Sequence, residues 1–200
     1  MKNFFRAFAA AFSMYSKIPM PRTEWNEKTF RYMFCFFPLV GVVIGGLVYG
    51  ALYAAGQLNL GVLFTAAIVT ALPVLITGGI HLDGYADTAD ALASCQPAEK
   101  KLEILKDPHT GAFAVIGCCV YFAMYLGAAS RLSAKTAPIV CAGFVLSRAL
   151  AAVMVTDFKP ARLTGSAASM HGAAGKKTVN AVSALYTAAA AALMLWIDAA

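Results

Sequence analysis

Between Arg31 and Asp83 the chain carries no aspartate, glutamate, lysine or arginine. A soluble domain does not leave so long an interval uncharged, whereas one bilayer crossing takes about 20 apolar residues. The interval therefore holds two crossings, with a break near Gln57, Leu58 and Asn59. Pro108 to Ser130 and Thr178 to Ile197 are further uncharged runs, and Thr136 to Thr156 is apolar apart from Arg148. The reading is an all-α, polytopic helical membrane bundle with about five transmembrane helices, over 33–55, 60–80, 110–130, 136–156 and 179–198, in one membrane domain of 1–200. Composition agrees, with 60% hydrophobic residues, 13% charged and a mean hydropathy of +0.69.

Residues 1–31 form an N-terminal segment of different character. Phe4, Phe5, Phe8, Phe12 and Tyr15 recur at helical spacing, which suits a helix lying in the membrane interface and also a helix packed on the core. This pattern is not that of a removable signal peptide. Pro19 and Pro21 end the helix, and Glu24 to Arg31 leads into the first span.

The basic residues orient the bundle. Lys2, Arg6, Lys17, Arg22, Lys28 and Arg31 precede the first span, Lys100, Lys101 and Lys106 follow the second, and Lys159, Arg162, Lys176 and Lys177 follow the fourth. Only Arg131 and Lys135 fall on the opposite side. That bias predicts a multi-pass membrane protein with its N-terminus, the 81–109 segment and the loop after the fourth span in the cytoplasm. The net charge of +6 is largely this topology signal, so no nucleic-acid partner is expected. Cys35, Cys95, Cys118, Cys119 and Cys141 form no C-x-x-C pair, which argues against a structural zinc site.

The chemistry concentrates in Gly78 to Leu92, GGIHLDGYADTADAL. On a helix Asp83, Asp87 and Asp90 stand at i, i+4 and i+7, within an arc of roughly 60°. Three like charges on one face call for a counter-charge, and oxygen-only ligands suit a hard divalent cation such as Mg2+. Leu82, Tyr85, Ala86, Ala89, Leu92 and Ala93 form the apolar side, so the segment is an amphipathic helix at the membrane surface. A metal cradle for a phosphate or pyrophosphate substrate is one reading, and a solvated acidic helix the other. Gly78 and Gly79 favour the first, because they permit a tight turn or close approach to a ligand. His81 is open to three roles: metal ligand, proton carrier or interfacial hydrogen-bonding residue.

Two further sites carry charge near this segment. Lys106 and Asp107 begin the third span at the cytoplasmic surface, either to steer phosphate or simply as interfacial residues, with His109 capping the helix start. Arg148 lies well inside the fourth span, where an unpaired guanidinium is costly. It must face a pyrophosphate, an acidic side chain or a polar cavity, or else snorkel to the interface.

These residues carry a family resemblance. TGGIHLDGYADTADAL followed by KLEILKDPHTGAFAVIG is similar to the signature region of the cobalamin synthase family, the adenosylcobinamide-GDP ribazoletransferases. YSKIPMPR, FPLVGVVIGG and LSRALA support it, and the similarity runs from about residue 8 to about residue 165. The resemblance implies a magnesium-dependent membrane transferase that completes the coenzyme B12 nucleotide loop. Such an enzyme joins adenosylcobinamide-GDP to α-ribazole or α-ribazole 5′-phosphate, giving adenosylcobalamin or its 5′-phosphate and GMP. It further implies that Asp83, Asp87 and Asp90 hold the metal on the pyrophosphate, with His81 beside the acceptor or leaving group. Lys106, Asp107, Arg148 and Arg162 are the expected substrate-binding residues. Leu163 and Thr164 depart from the family's usual Pro and Asp.

The resemblance also implies a further C-terminal region with another acidic motif beyond Ala200, since Asp198 is the only acid after Asp157. A membrane phosphotransferase of the CDP-alcohol type and a cation transporter are the rival readings. The former needs additional Asp-Gly elements, and the latter needs acids inside several spans. A homo-oligomer is compatible with all three.

Overall fold

A chain in lipid must satisfy its backbone polar groups internally, and the apolar runs accordingly become helices. The computed structural model of the chain describes residues 2–161 and 165–198. Its helices are α1 (Lys2–Tyr15), α2 (Glu27–Gln57), α3 (Val62–Thr77), α4 (Ile80–Ala93), α5 (Ala98–Ile104), α6 (Ala112–Ala129), α7 (Ala137–Asp157), α8 (Ser166–Ala173) and α9 (Lys176–Asp198), and no strand occurs among the described residues. Four of them, α2, α6, α7 and α9, are long and apolar enough to cross a membrane.

The second expected crossing departs from its predicted 60–80 bounds. α3 stops at Thr77, and the chain turns by 94° into α4. The cause is local: Gly78 and Gly79 both adopt left-handed backbone, at φ +67° and +79°, which side-chain-bearing residues rarely tolerate. The amide N–H of Gly79 donates to the carbonyl of Val74 at 3.1 Å and closes the helix end. Lys17 reinforces the corner. Its backbone N–H donates to the Ile76 carbonyl at 2.7 Å, and its methylene stem lies across Gly78 where a β-carbon would sit.

α2 is the centre of the better-packed half. Asn26 caps it by accepting the Thr29 N–H at 3.0 Å, and Glu27 adds a favourable charge to the first turn. Its buried face of Met33, Phe34, Phe37, Val40, Ile44 and Val48 meets α1 on one side and α7 on the other. Gly41 and Gly45 let the α7 backbone come very close: a β-carbon on Gly45 would lie 2.9 Å from the Cys141 carbonyl oxygen, and one on Gly41 would collide with the Phe144 carbonyl. The Cys141 thiol donates to the Gly45 carbonyl at 3.0 Å across this contact.

α1 is docked rather than free. Ala7, Ala10, Ala11 and Phe12 are buried, and Phe4 and Phe8 pack on Tyr32 and Phe36 of α2, while Phe5 stays exposed. α9 lies along α7, and their junction is locked by polar groups. The Thr156 hydroxyl donates to Asn180 at 2.8 Å, the Asn180 amide donates to both Asp157 oxygens at 3.0 Å, and the Lys176 ammonium pairs with Asp157 at 2.8 Å.

The other half consists of α3, α4 and α6, which pack mainly on one another. Ala114 and Ala129 are the buried residues of α6, and Leu63, Phe64, Val120 and Met124 are exposed. Such a surface of large apolar side chains requires lipid around it.

Candidate active site

α4 presents two chemically different sides. Asp83 and Asp87 stand one turn apart on the exposed side, as their spacing predicts, and neither carboxylate has a hydrogen-bond or ion-pair partner among the described residues. Asp90 behaves otherwise. Its Oδ2 accepts the Gly111 N–H at 2.6 Å and its Oδ1 accepts the Ala114 N–H at 2.8 Å, so this carboxylate caps α6 from a neighbouring helix. α6 has no side-chain cap of its own, and Asp90 supplies both the missing acceptors and a charge favourable to the helix dipole. Glycine at 111 lets the carboxylate approach this closely, since a β-carbon would lie 2.7 Å from either Asp90 oxygen and would push the cap away.

The three expected metal ligands therefore do not converge. Among the described residues no three His, Cys, Asp or Glu side chains gather as a metal centre. Two free carboxylates remain, and their chemistry fits magnesium, which commonly takes one or two carboxylates and completes its shell with phosphate and water. The fit concerns Asp83 and Asp87. Asp90 has spent its oxygens on backbone amides.

His81 points away from Asp83, as helix periodicity requires. Its ring stacks on Tyr15 of α1 and Phe37 of α2, with centroids 5.7 and 5.9 Å away. One turn along, the Tyr85 hydroxyl reaches the Gly117 carbonyl of α6 at 3.4 Å. Beside them opens a cavity of about 330 Å³ between α2, α3, α4, α6 and α7, and Arg148 enters it from α7. The Arg148 side chain donates from Nη1 to the Ser147 hydroxyl at 2.9 Å and lies over the Phe144 ring at 5.6 Å. Its Nε is shielded from solvent and has no partner. A second, shallower depression on the Asp83 side shares Gly79 and Leu82 with this cavity. The acidic side and the arginine cavity thus meet at the first turn of α4.

The remaining expected residues lie elsewhere. Lys106 and Asp107 sit in the loop before α6 and line neither depression. Asp107 is engaged locally: it accepts the His109 backbone N–H at 2.9 Å and lies 2.7 Å from the ring Nδ1, contacts that hold its carboxyl below the ordinary carboxylate range. His109 belongs to this turn and does not cap α6. Arg162 falls outside the described residues, as do Leu163 and Thr164.

With this arrangement in view, comparison with known proteins is decisive. A family model described as cobalamin-5-phosphate synthase matches residues 7–200. The chain belongs to that family. Curated relatives named adenosylcobinamide-GDP ribazoletransferase include one from Lachnoclostridium phytofermentans, 49% identical over 176 residues that cover 88% of this chain and 67% of the relative. Another, from Clostridium perfringens, is 39% identical over 58% of this chain and 46% of its own length. A third, from Treponema denticola, is 33% identical over 86% of this chain and 65% of the relative. The chain thus spans about half to two thirds of the length of these relatives. No solved structure matches.

For a cobalamin-5-phosphate synthase family member, the aromatic lining of the arginine cavity is the part that sequence reasoning missed. Tyr121 and Tyr125 recur at i, i+4 on α6 and face it together with Tyr85. Polar rings repeated one turn apart within an otherwise apolar span were the available signal.

Proposed function

We propose that this chain carries the catalytic part of an adenosylcobinamide-GDP ribazoletransferase, transferring adenosylcobinamide phosphate from its GDP-activated form to a hydroxyl of α-ribazole or α-ribazole 5′-phosphate and releasing GMP. The observation that carries the reading is the meeting of the Asp83 depression with an arginine cavity at the first turn of α4, with the free carboxylate of Asp87 one turn further on. Such a juxtaposition suits a pyrophosphate-cleaving transfer, in which a carboxylate-held metal and a guanidinium engage phosphate oxygens. A cation transporter is disfavoured, because Asp83 and Asp87 line the surface of α4 and not a path through the spans.

Asp83 and Asp87 hold Mg2+ in this reading, while Asp90 fixes α4 against α6 and keeps the pair at the rim. A magnesium ion held by Asp83 and Asp87 would supply positive charge to offset the pyrophosphate and the leaving GMP. The acceptor oxygen forms a new bond to the phosphorus next to the cobinamide, the P–O bond to the bridging oxygen breaks, and that oxygen leaves with GMP. The hydroxyl proton passes to a carboxylate of the acidic side. His81 is held by Tyr15 and Phe37 on the cavity side, where it orients the group bound there rather than serving as a metal ligand. The distribution of basic residues supports a site facing the cytoplasm of a bacterial inner membrane.

The test is GMP release from adenosylcobinamide-GDP by the purified chain in detergent. Release that requires both α-ribazole and magnesium is the expected result. A folded sample that produces none under these conditions sinks the proposal.

A further inference from the structure

We propose that the cavity between α2, α3, α4, α6 and α7 holds the planar base of a nucleotide, with the Nε–H of Arg148 donated to one of that nucleotide's oxygens. The inference rests on the transferase reading and assigns one of its substrate parts to a place. Three observations carry it.

The first is the lining. Phe37, His81, Tyr85, Tyr121, Tyr125 and Phe144 all face the cavity, so flat π-surfaces surround it from four helices. Tyr85 and Tyr121 lie 5.9 Å apart by centroid, and Tyr121 and Tyr125 5.8 Å, leaving a wall of rings on the α6 side. An aliphatic guest needs no such wall, whereas a heteroaromatic base stacks on it.

The second is the arginine. The Nε of Arg148 is buried within the bundle without a hydrogen-bond partner, although its neighbouring Nη1 is satisfied by Ser147. A buried donor left open is unfavourable, and in a membrane span it marks a ligand position. Among the described residues no carboxylate lines the cavity, and the hydroxyls that do line it leave the Nε–H without a partner, so an anionic or strongly accepting oxygen for it is one that a ligand brings. A phosphate or sugar oxygen meets the requirement.

The third is size and position. A volume of about 330 Å³ admits a two-ring base with part of its ribose, and excludes a corrinoid macrocycle. Because the cavity adjoins the acidic depression at Gly79 and Leu82, a nucleotide seated there extends its phosphate or sugar hydroxyl toward Asp83. Two sources share this chemistry: the guanine nucleotide of the donor and the ribazole nucleotide of the acceptor.

Equilibrium binding of GMP and of α-ribazole 5′-phosphate, each measured separately on the full chain in nanodiscs with a chelator present, distinguishes the two sources. Chelation removes any metal-mediated contribution from Asp83 and Asp87. At least one nucleotide is expected to bind, and Arg148→Met should weaken that binding at least about tenfold. Tyr125→Leu should weaken it by about three- to tenfold through lost stacking. Arg148→Lys should fall between wild type and Arg148→Met, because an ammonium keeps the charge without the planar fork. Thermal unfolding of each variant confirms that the fold persists, and Arg148→Met removes a buried charge rather than adding one.

Binding of GMP alone places the leaving group in the cavity, and binding of the ribazole nucleotide alone places the acceptor there. No binding of either nucleotide to folded wild type, or binding that Arg148→Met and Tyr125→Leu both leave intact, overturns the inference. The two proposals fail separately. Arg148-dependent nucleotide binding without GMP release removes the reaction and keeps the cavity, whereas GMP release with unchanged binding in both variants removes only the cavity assignment.

Discussion

The α1–α2–α7–α9 half and the α3–α4–α6 half are held together by different means. In the first, backbones touch: Gly41 and Gly45 bring α2 onto the carbonyls of α7, and a continuous row of buried side chains runs from Met33 to Val48. In the second, few side chains are buried, and the fixed points are directed contacts, namely Asp90 on the α6 amides, Tyr85 on Gly117 and the Gly78–Gly79 corner. Packing supplies stability where no chemistry is needed. The sparse half leaves two carboxylates exposed, and where α7 faces that half the Arg148 Nε stays unsatisfied, which a densely packed interior would not tolerate.

The strongest way to break this contrast is to attack the packed half. Gly41→Leu should destabilise the chain by about 3 kcal/mol or more, because the new side chain meets α7 backbone and cannot relax. Thermal unfolding in detergent and monodispersity on size exclusion measure it, and a stable, monodisperse variant would contradict the close α2–α7 contact. Asp83→Asn and Asp87→Asn probe the opposite half. Each should lower turnover by about a hundredfold or more while leaving thermal unfolding unchanged. If both keep near wild-type GMP release, the metal assignment is wrong.

Asp90→Ala sharpens the comparison, because this residue lies on the acidic face but is structurally engaged. Removing the cap should cost about 1–2 kcal/mol and expose the Gly111 to Ala114 amides to hydrogen exchange, with activity falling alongside stability. Loss of activity with unaltered exchange would instead make Asp90 a direct ligand. The smallest effect belongs to Lys176→Ala. Its ammonium is largely exposed, so loss of the Asp157 pair should be barely detectable in turnover and should diminish further with added salt.

Much of the architecture was legible in the sequence, since uncharged runs of bilayer length admit few folds, and Arg148 announced itself as a charge inside one of them. The corner at Gly78–Gly79 was legible only as a turn. Its direction depends on two left-handed residues in succession and on Lys17 arriving from α1, neither of which is a local pattern. The acidic triad illustrates the limit best. Helical spacing places Asp83, Asp87 and Asp90 on one face, yet the partner that separates the third from the other two lies 21 residues further on, at the start of another helix. His81 was likewise placed away from Asp83 by periodicity, but its aromatic setting is built by Tyr15 and Phe37 from helices distant in sequence.

The early stop of α3 has a consequence for the surrounding lipid. Its 16 residues extend about 24 Å, short of the roughly 30 Å hydrocarbon thickness of a typical bilayer. Hydrophobic mismatch therefore falls on the side of the molecule where α4 turns off, and the bilayer must thin there or α4 must ride below the headgroups. Acyl-chain length becomes a variable of the site itself: shorter chains leave the acidic helix at the water boundary, and longer ones draw it inward.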